Sequence, residues 1–185
     1  MCNYTGALYC VLTDSCTHSI ELCFRYQNIS GTVGIPKHTY VSALMVLYKL
    51  GLTAKFTNEH WQFEYNYTGT NIWDSARCFV PNMYRAGQMQ CLSFGHTKRL
   101  EIGHGGAILL DNKEDYIALK RMAYDGRDLS VSPWQNQTNW HVGYHYNMRL
   151  EDAARGIHML ENNQFKTVES QLVQYPDISK LNIKV

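Results

Sequence analysis

Short apolar runs alternate along this chain with segments of helical spacing, and this alternation restricts the possible folds more than any other feature. The alternation predicts an α/β domain with a mostly parallel sheet flanked by helices. The predicted strands cover residues 7–13, 32–36, 53–57, 71–74, 90–94 and 106–111. The predicted helices run from Ile20 to about Ser30, and over residues 40–50, 114–124 and 150–161.

Length and composition exclude several classes of protein. A chain of 185 residues forms one domain or slightly more, and it buries roughly 70% of its surface on folding. Hydrophobic residues make up 45% and charged residues 18%, which excludes a disordered chain. A net charge of +1 gives no basic field for nucleic acid. Because no apolar run approaches the ~18–20 residues of a membrane span and the start lacks a signal-peptide pattern, we expect a cytoplasmic protein. The six cysteines could form three disulfides, but none forms a C-x-x-C pair and most lie in apolar runs, which favours reduced thiols.

Polar residues that follow the predicted strands are the candidates for function, because ligands of α/β sheets bind beyond the carboxyl ends of the strands. Ser15-Cys16-Thr17 opens a helix, where small hydroxyl residues serve either as helix caps or as a seat for phosphate. Asp74 follows an apolar strand and has the alternative role of a turn residue. Lys98 precedes a glycine-rich turn at 103–107. It is either a solvated surface charge or a partly desolvated, nucleophilic amine.

The order of these segments is more specific than any one of them. The order is a phosphate turn, an aromatic residue, an Asp, and then Ser-x-x-x-x-Lys before Gly-x-Gly-Gly. This order resembles that of the DegT/StrS family of sugar aminotransferases, which are fold-type I enzymes that use pyridoxal 5′-phosphate (PLP). The resemblance extends from about residue 7 to residue 161. It is carried by residues 15–22, 35–42, 74–76, 93–107, 125–127 and 143–150.

The resemblance implies a three-layer PLP-transferase-like large domain over residues 1–161. Residues 162–185 would form a short C-terminal tail in place of the usual small domain, so the chain is expected to be a shortened member of the family. We expect no metal ion in the site.

The same resemblance implies catalytic roles for two residues. Lys98 matches the lysine that forms the Schiff base with PLP and then acts as the general base. Asp74 matches the carboxylate that faces the pyridine nitrogen and keeps it protonated, which makes the ring a better electron sink.

Further residues match the remaining cofactor contacts of the family. Tyr40 matches the aromatic residue that stacks on the ring. Arg77 departs from the family's pattern, since it stands where the family usually has a glutamine or histidine beside the cofactor hydroxyl. Asn147 matches a residue that reaches the phosphate of the neighbouring subunit's cofactor, which implies a homodimer with shared active sites. The matched phosphate contacts are Cys16, Thr17 and Ser93.

The implied reaction is transamination of a nucleotide-linked keto-sugar with an amino acid, such as glutamate, as donor. Two alternatives remain open. One is a PLP-binding or PLP-free dimeric module without transaminase activity. The other is a metal hydrolase that uses His141 and His145, which have the i, i+4 spacing of two ligands on a helix. Gly143 and the neighbouring aromatic residues argue against a helix at that position.

Overall fold

The computed structural model describes residues 1–167 and 174–183 of the chain, and the predicted strands and helices are present in it. The strands are β1 (Tyr9–Thr13), β2 (Thr32–Pro36), β3 (Thr53–Thr57), β4 (Tyr65–Asn66), β5 (Ile72–Asp74), β6 (Met89–Ser93) and β7 (Gly106–Leu110). The α-helices are α1 (Cys2–Thr5), α2 (Cys16–Tyr26), α3 (Val41–Lys49), α4 (Lys113–Ala123) and α5 (Leu150–Glu161). Single 3₁₀ turns lie at Trp134–Asn136 and Ile178–Lys180. The α/β class predicted from the sequence is therefore confirmed.

The sheet is mixed, which corrects the expectation of a mostly parallel one. Within the described residues, one sheet has the order β1-β7-β6-β5-β4 and a second consists of β2 and β3. Of these strand pairs, β5–β6 and β2–β3 are parallel, whereas β1–β7, β6–β7 and β4–β5 are antiparallel. The physical reason lies in the connections. After β6 the chain turns back on itself: the Phe94 amide donates to the Gly105 carbonyl at 3.0 Å and the Gly103 amide donates to the Phe94 carbonyl at 2.9 Å, so β7 returns beside β6 in the opposite direction.

The two sheets continue into one another through Gly34 of β2. The Gly34 amide donates to the Thr68 carbonyl at 3.4 Å, and the Thr68 amide donates to the Gly34 carbonyl at 3.0 Å. A Cβ at position 34 would lie 2.7 Å from the Cβ of Thr68, so the junction depends on the absence of a side chain there.

Both faces of the sheet are covered, which gives three layers. Side chains alternate along a strand, and in β7 Ile108 and Leu110 enter the core formed with α2, α3 and α4. Ala107 and Leu109 enter a second core on the opposite face, together with residues of α5. This double burial explains why β7 is apolar along its whole length. The region after α5 also contributes, since Ile178 joins the first core and Phe165 packs against the second.

The described residues contain no helix that is both long enough and apolar enough to span a bilayer.

The start of α2 lies directly against the start of β7. Ser15 caps the helix, because its Oγ accepts a hydrogen bond from the His18 amide at 3.2 Å. A Cβ at Gly106 would lie 2.5 Å from the Cys16 nitrogen and 2.5 Å from the Ser15 carbonyl carbon. Glycine at 106 is therefore required for the helix to begin at this position over the sheet.

We predict that Gly106→Ala destabilises the protein by about 1–3 kcal/mol, because the added methyl group meets backbone atoms that cannot rotate away. The measurement is the thermal unfolding midpoint. Gly95→Ala is the matched control, since a Cβ there would meet only the Ser93 Oγ, at 3.8 Å. Equal midpoints for the two variants would contradict the close approach of α2 to β7.

Candidate functional site

A cavity of about 440 Å³ opens where β5 and β6 end and α2 and α3 begin. Because β5 and β6 are parallel, their last residues, Asp74 and Ser93, lie at the same edge of the sheet. A larger cavity of about 800 Å³ lies against α2 and α4 and is lined by none of the predicted site residues. The predicted residues that line the smaller cavity are Cys16, Thr17, Tyr40, Asp74, Arg77, Ser93 and Lys98.

Two helix N-termini meet at one side of this cavity. Cys16 and Thr17 occupy the first turn of α2, where backbone amides have no carbonyl one turn earlier and the helix dipole is positive. The Thr17 hydroxyl donates to the Ser42 hydroxyl at 3.0 Å, and Ser42 lies in the first turn of α3. Burial raises the pKa of the Cys16 thiol well above its usual range, so the thiol is neutral. This side of the cavity is suited to an anion.

Asp74 provides a carboxylate at the end of β5, where it is partly buried. Its Oδ2 accepts a hydrogen bond from the Tyr65 hydroxyl at 3.0 Å, and its Oδ1 accepts one from the Ala76 amide at 3.0 Å. Burial raises the pKa of Asp74, and the two hydrogen bonds and the charge of Lys98 oppose that rise. The carboxylate is therefore poised to partner a cationic group in the cavity.

Lys98 provides an amine on the segment between β6 and β7. Its amide donates to the Gly95 carbonyl at 3.0 Å, which fixes the backbone at the edge of the cavity. Burial lowers the pKa of the Lys98 ammonium, and the charge of Arg77 acts in the same direction, while Asp74 acts against it. A larger fraction of Lys98 is therefore in the neutral, nucleophilic form than for a solvated lysine.

Aromatic side chains form the outer wall of the cavity. Tyr40 is 60% exposed, so its ring is accessible to a ligand. Trp61 and Tyr175 also line the cavity, and their rings stack with centroids 5.6 Å apart. His38 holds this pair, because its Nδ1 contacts the Tyr175 carbonyl at 3.0 Å and its carbonyl accepts from Trp61 Nε1 at 2.8 Å.

The sequence does not mark Ser42, Trp61 or Tyr175 as part of the site. Trp61 and Tyr175 lie in polar, aperiodic segments outside the motifs. Ser42 lies inside a matched segment, but its hydroxyl gains a neighbour only when α2 and α3 pack together.

Asn147 is the one predicted site residue that does not line the cavity. Its backbone pairs with Thr13 at the end of β1, and it borders a separate cavity that also includes Met148 and Arg149. The Asn147 Oδ1 atom is buried without a hydrogen-bond partner among the described residues. A role for Asn147 in the site of another subunit stays a prediction.

The histidines of the metal alternative do not form a helix. His141 and His145 lie in a segment without helical structure, and His145 Nδ1 contacts Asp125 Oδ2 at 3.0 Å. Within residues 1–167 and 174–183, no group of three or more His, Cys, Asp or Glu side chains is placed to hold a metal ion. The i, i+4 argument for a hydrolase therefore has no structural basis.

Comparison with solved structures identifies the fold. The chain is similar to AtS13 from Actinomadura melliaura, with a TM-score of 0.73, 17% identity and coverage of 86% of this chain and 57% of that chain. It is also similar to PseC from Helicobacter pylori, an aminotransferase involved in the biosynthesis of pseudoaminic acid, with a TM-score of 0.72, 13% identity and coverage of 88% and 56%. A third similar structure is a protein of Streptococcus pneumoniae described as a sugar aminotransferase, in its PMP form (TM-score 0.70, 16% identity, 87% and 56% coverage).

These likenesses concern the fold, since the identities are low, and the chain spans a little over half the length of these structures. No curated protein sequence matches the chain. The model of the DegT/DnrJ/EryC1/StrS aminotransferase family matches residues 82–174, which is half of the chain and includes Ser93 and Lys98. By this match, and with the fold it shares with sugar aminotransferases, the chain belongs to the DegT/DnrJ/EryC1/StrS aminotransferase family.

Proposed function

We propose that the chain binds PLP in the 440 Å³ cavity and acts as an aminotransferase. The donor would be an amino acid such as glutamate, and the acceptor a nucleotide-linked keto-sugar. One observation carries the proposal: an amine, a carboxylate, an exposed aromatic ring and an anion-binding helix terminus line the same cavity.

The residues of the cavity fit the chemical groups of PLP one by one. The Lys98 amine, with its lowered pKa, would hold the aldehyde carbon. The Asp74 carboxylate would hold the pyridine nitrogen, and the exposed ring of Tyr40 would stack on the pyridine ring. The phosphate would be bound by the first-turn amides of α2 and by the hydroxyl groups of Thr17 and Ser93.

When bound, PLP supplies an electron-withdrawing ring that stabilises negative charge at the carbon next to the transferred amino group. In the proposed mechanism the Lys98 amine would act as the general base that accepts the proton from that carbon. Because burial lowers the pKa of the Lys98 ammonium, a larger fraction of the amine is neutral and able to accept that proton. The Asp74 carboxylate would keep the ring nitrogen in its protonated form. Arg77, whose Nη1 donates to the Gln62 carbonyl at 3.3 Å, places a cation on the cavity wall, where it would stabilise the anionic ring oxygen.

The proposal includes the quaternary and domain arrangement. Residues 1–161 would form the cofactor domain, and residues 162–185 a tail whose Tyr175 contributes to the cavity wall. A second copy of the chain would place its Asn147 at this cavity and form a homodimer with shared active sites. The six free cysteines fit a reducing compartment, and the proposed location is the cytoplasm.

We predict that borohydride reduction of the PLP-loaded protein attaches a pyridoxyl group to Lys98, as read by peptide mass spectrometry. Since only the neutral amine attacks an aldehyde, labelling should increase with pH with a midpoint below the ~10.4 of a free lysine. Lys49 and Lys120 are internal controls. Hydrogen bonding to Glu21 raises the pKa of Lys49, and Lys120 is exposed outside the cavity. Preferential labelling of either control would refute the assignment of Lys98.

We predict that Asp74→Asn changes the dissociation constant of PLP by less than about tenfold but slows amino transfer from glutamate by about a hundredfold or more. A neutral amide cannot hold positive charge at the ring nitrogen. The measurement is single-turnover formation of 2-oxoglutarate, with Asp125→Asn, an exposed carboxylate paired with His145, as the control. An unchanged rate would exclude Asp74 from the ring. Tight PLP binding without turnover in the unmodified chain would instead favour the non-catalytic dimeric module.

We predict that PLP shifts the chain towards dimers, because a ligand bound by two subunits favours the assembled state. Sedimentation velocity at micromolar concentration, with and without PLP, measures this shift. Asn147→Ala should reduce the PLP-dependent part of the shift, whereas Asn136→Ala, on the distant 3₁₀ turn, should not. A monomer saturated with PLP would contradict shared sites.

A further inference from the structure

We propose that Tyr65, supported by Thr39, is a positioning residue that keeps Asp74 ionised and so keeps the proton on the ring nitrogen of the cofactor. This inference rests on the proposed function and adds to it two residues that no sequence motif assigns to the reaction.

Strand pairing places Tyr65 beside Asp74. Tyr65 of β4 and Asp74 of β5 are directly opposite each other in the antiparallel pair. The Tyr65 hydroxyl lies 3.0 Å from Asp74 Oδ2. The other carboxylate oxygen is occupied by the Ala76 amide. The orientation of the carboxylate is thus fixed at both oxygens from within the protein.

The hydrogen bonds have a fixed direction. The Thr39 hydroxyl donates to the Tyr65 oxygen at 3.1 Å, so the single proton of Tyr65 is left for Asp74. An ionised carboxylate only accepts hydrogen bonds, which matches this polarity. Thr39 and Tyr65 are each 1% exposed, so water does not compete for these bonds. In such surroundings each hydrogen bond polarises the next one, and the donor to Asp74 is strengthened.

The hydrogen bonds from Thr39 to Tyr65 and from Tyr65 to Asp74 counteract the effect of burial on the Asp74 carboxylate. Burial raises the pKa of Asp74, which favours the neutral acid. Burial also raises the pKa of Tyr65 well above its usual range, so Tyr65 keeps its proton and remains a donor. If PLP binds with its ring nitrogen against Asp74, one proton is shared between the nitrogen and the carboxylate. A donor to the carboxylate stabilises its charged form and moves that proton towards the nitrogen.

Tyr67 supplies a control for a purely structural role. It lies two residues further along the chain, is 0% exposed and packs against Tyr65 with ring centroids 5.5 Å apart. Among the described residues, its hydroxyl interacts with Tyr65 and makes no hydrogen bond to Asp74. Tyr65→Phe and Tyr67→Phe therefore remove the same atom from the same part of the core, and only the first removes a bond to Asp74.

The experiment measures the protonation of the ring nitrogen directly. The protein is loaded with PLP labelled with ¹⁵N in the ring, and the ¹⁵N chemical shift is recorded from pH 6 to 9. We expect Tyr65→Phe to move the signal towards that of a neutral pyridine, with the proton distribution changed at least about tenfold. Tyr67→Phe should leave the signal at the unmodified position. Thr39→Val should move it in the same direction as Tyr65→Phe but less.

Each outcome separates this inference from the proposed function. A Tyr65→Phe signal equal to that of Tyr67→Phe would overturn the role of Tyr65 while PLP binding stands. Failure of the unmodified chain to bind PLP, or an Asp74→Asn signal equal to the unmodified one, would overturn the proposed function itself. Thermal unfolding of the cofactor-free variants controls for folding. If Tyr65→Phe does not fold, Thr39→Val serves as the test. An unshifted ¹⁵N signal in Thr39→Val would then overturn the proposed role of the Thr39–Tyr65–Asp74 hydrogen bonds.

Discussion

The contact between the first turn of α2 and the first residue of β7 is the constraint on which the site depends. Gly106 admits the backbone of Ser15 and Cys16 at a distance that any side chain would prevent. This contact holds the positive end of α2 beside the ends of β5 and β6. The side of the cavity that is suited to an anion and the side that carries Asp74 and Lys98 therefore lie in one cavity because of one glycine.

The strands and helices could be predicted from the sequence because their patterns are local. Runs such as 106–110 are apolar at every position, and α4 has a helical pattern capped by Asn112, which accepts from the amides of Glu114 and Asp115. The direction of β7 could not be predicted in this way, since it depends on the hydrogen bonds of Phe94 with Gly103 and Gly105, which form only when the segment after β6 folds back. The same limit hides β4, whose two residues are too few for a periodic signal.

The same distinction between local patterns and contacts formed on folding applies to the candidate site. Asp74 and Lys98 follow strands, and their order among glycine and hydroxyl motifs points to one cavity, which the fold provides. No sequence pattern predicts Tyr65 or Trp61 as a site residue. Each contributes through a hydrogen bond or a ring contact that forms only after the chain has folded. The sequence thus predicts the site residues that follow strands, but it does not predict those that act through contacts with other elements.

The wall formed by Trp61 and Tyr175 also bears on the order in which the molecule is assembled. The two residues are 114 positions apart, and contacts of such separation form late, because the entropy of closing the loop must be lost first. During synthesis, the strand ends and the two helix termini emerge before Tyr175 does. The amine and the carboxylate thus precede in the chain the residue that completes the aromatic wall, and that residue docks against His38.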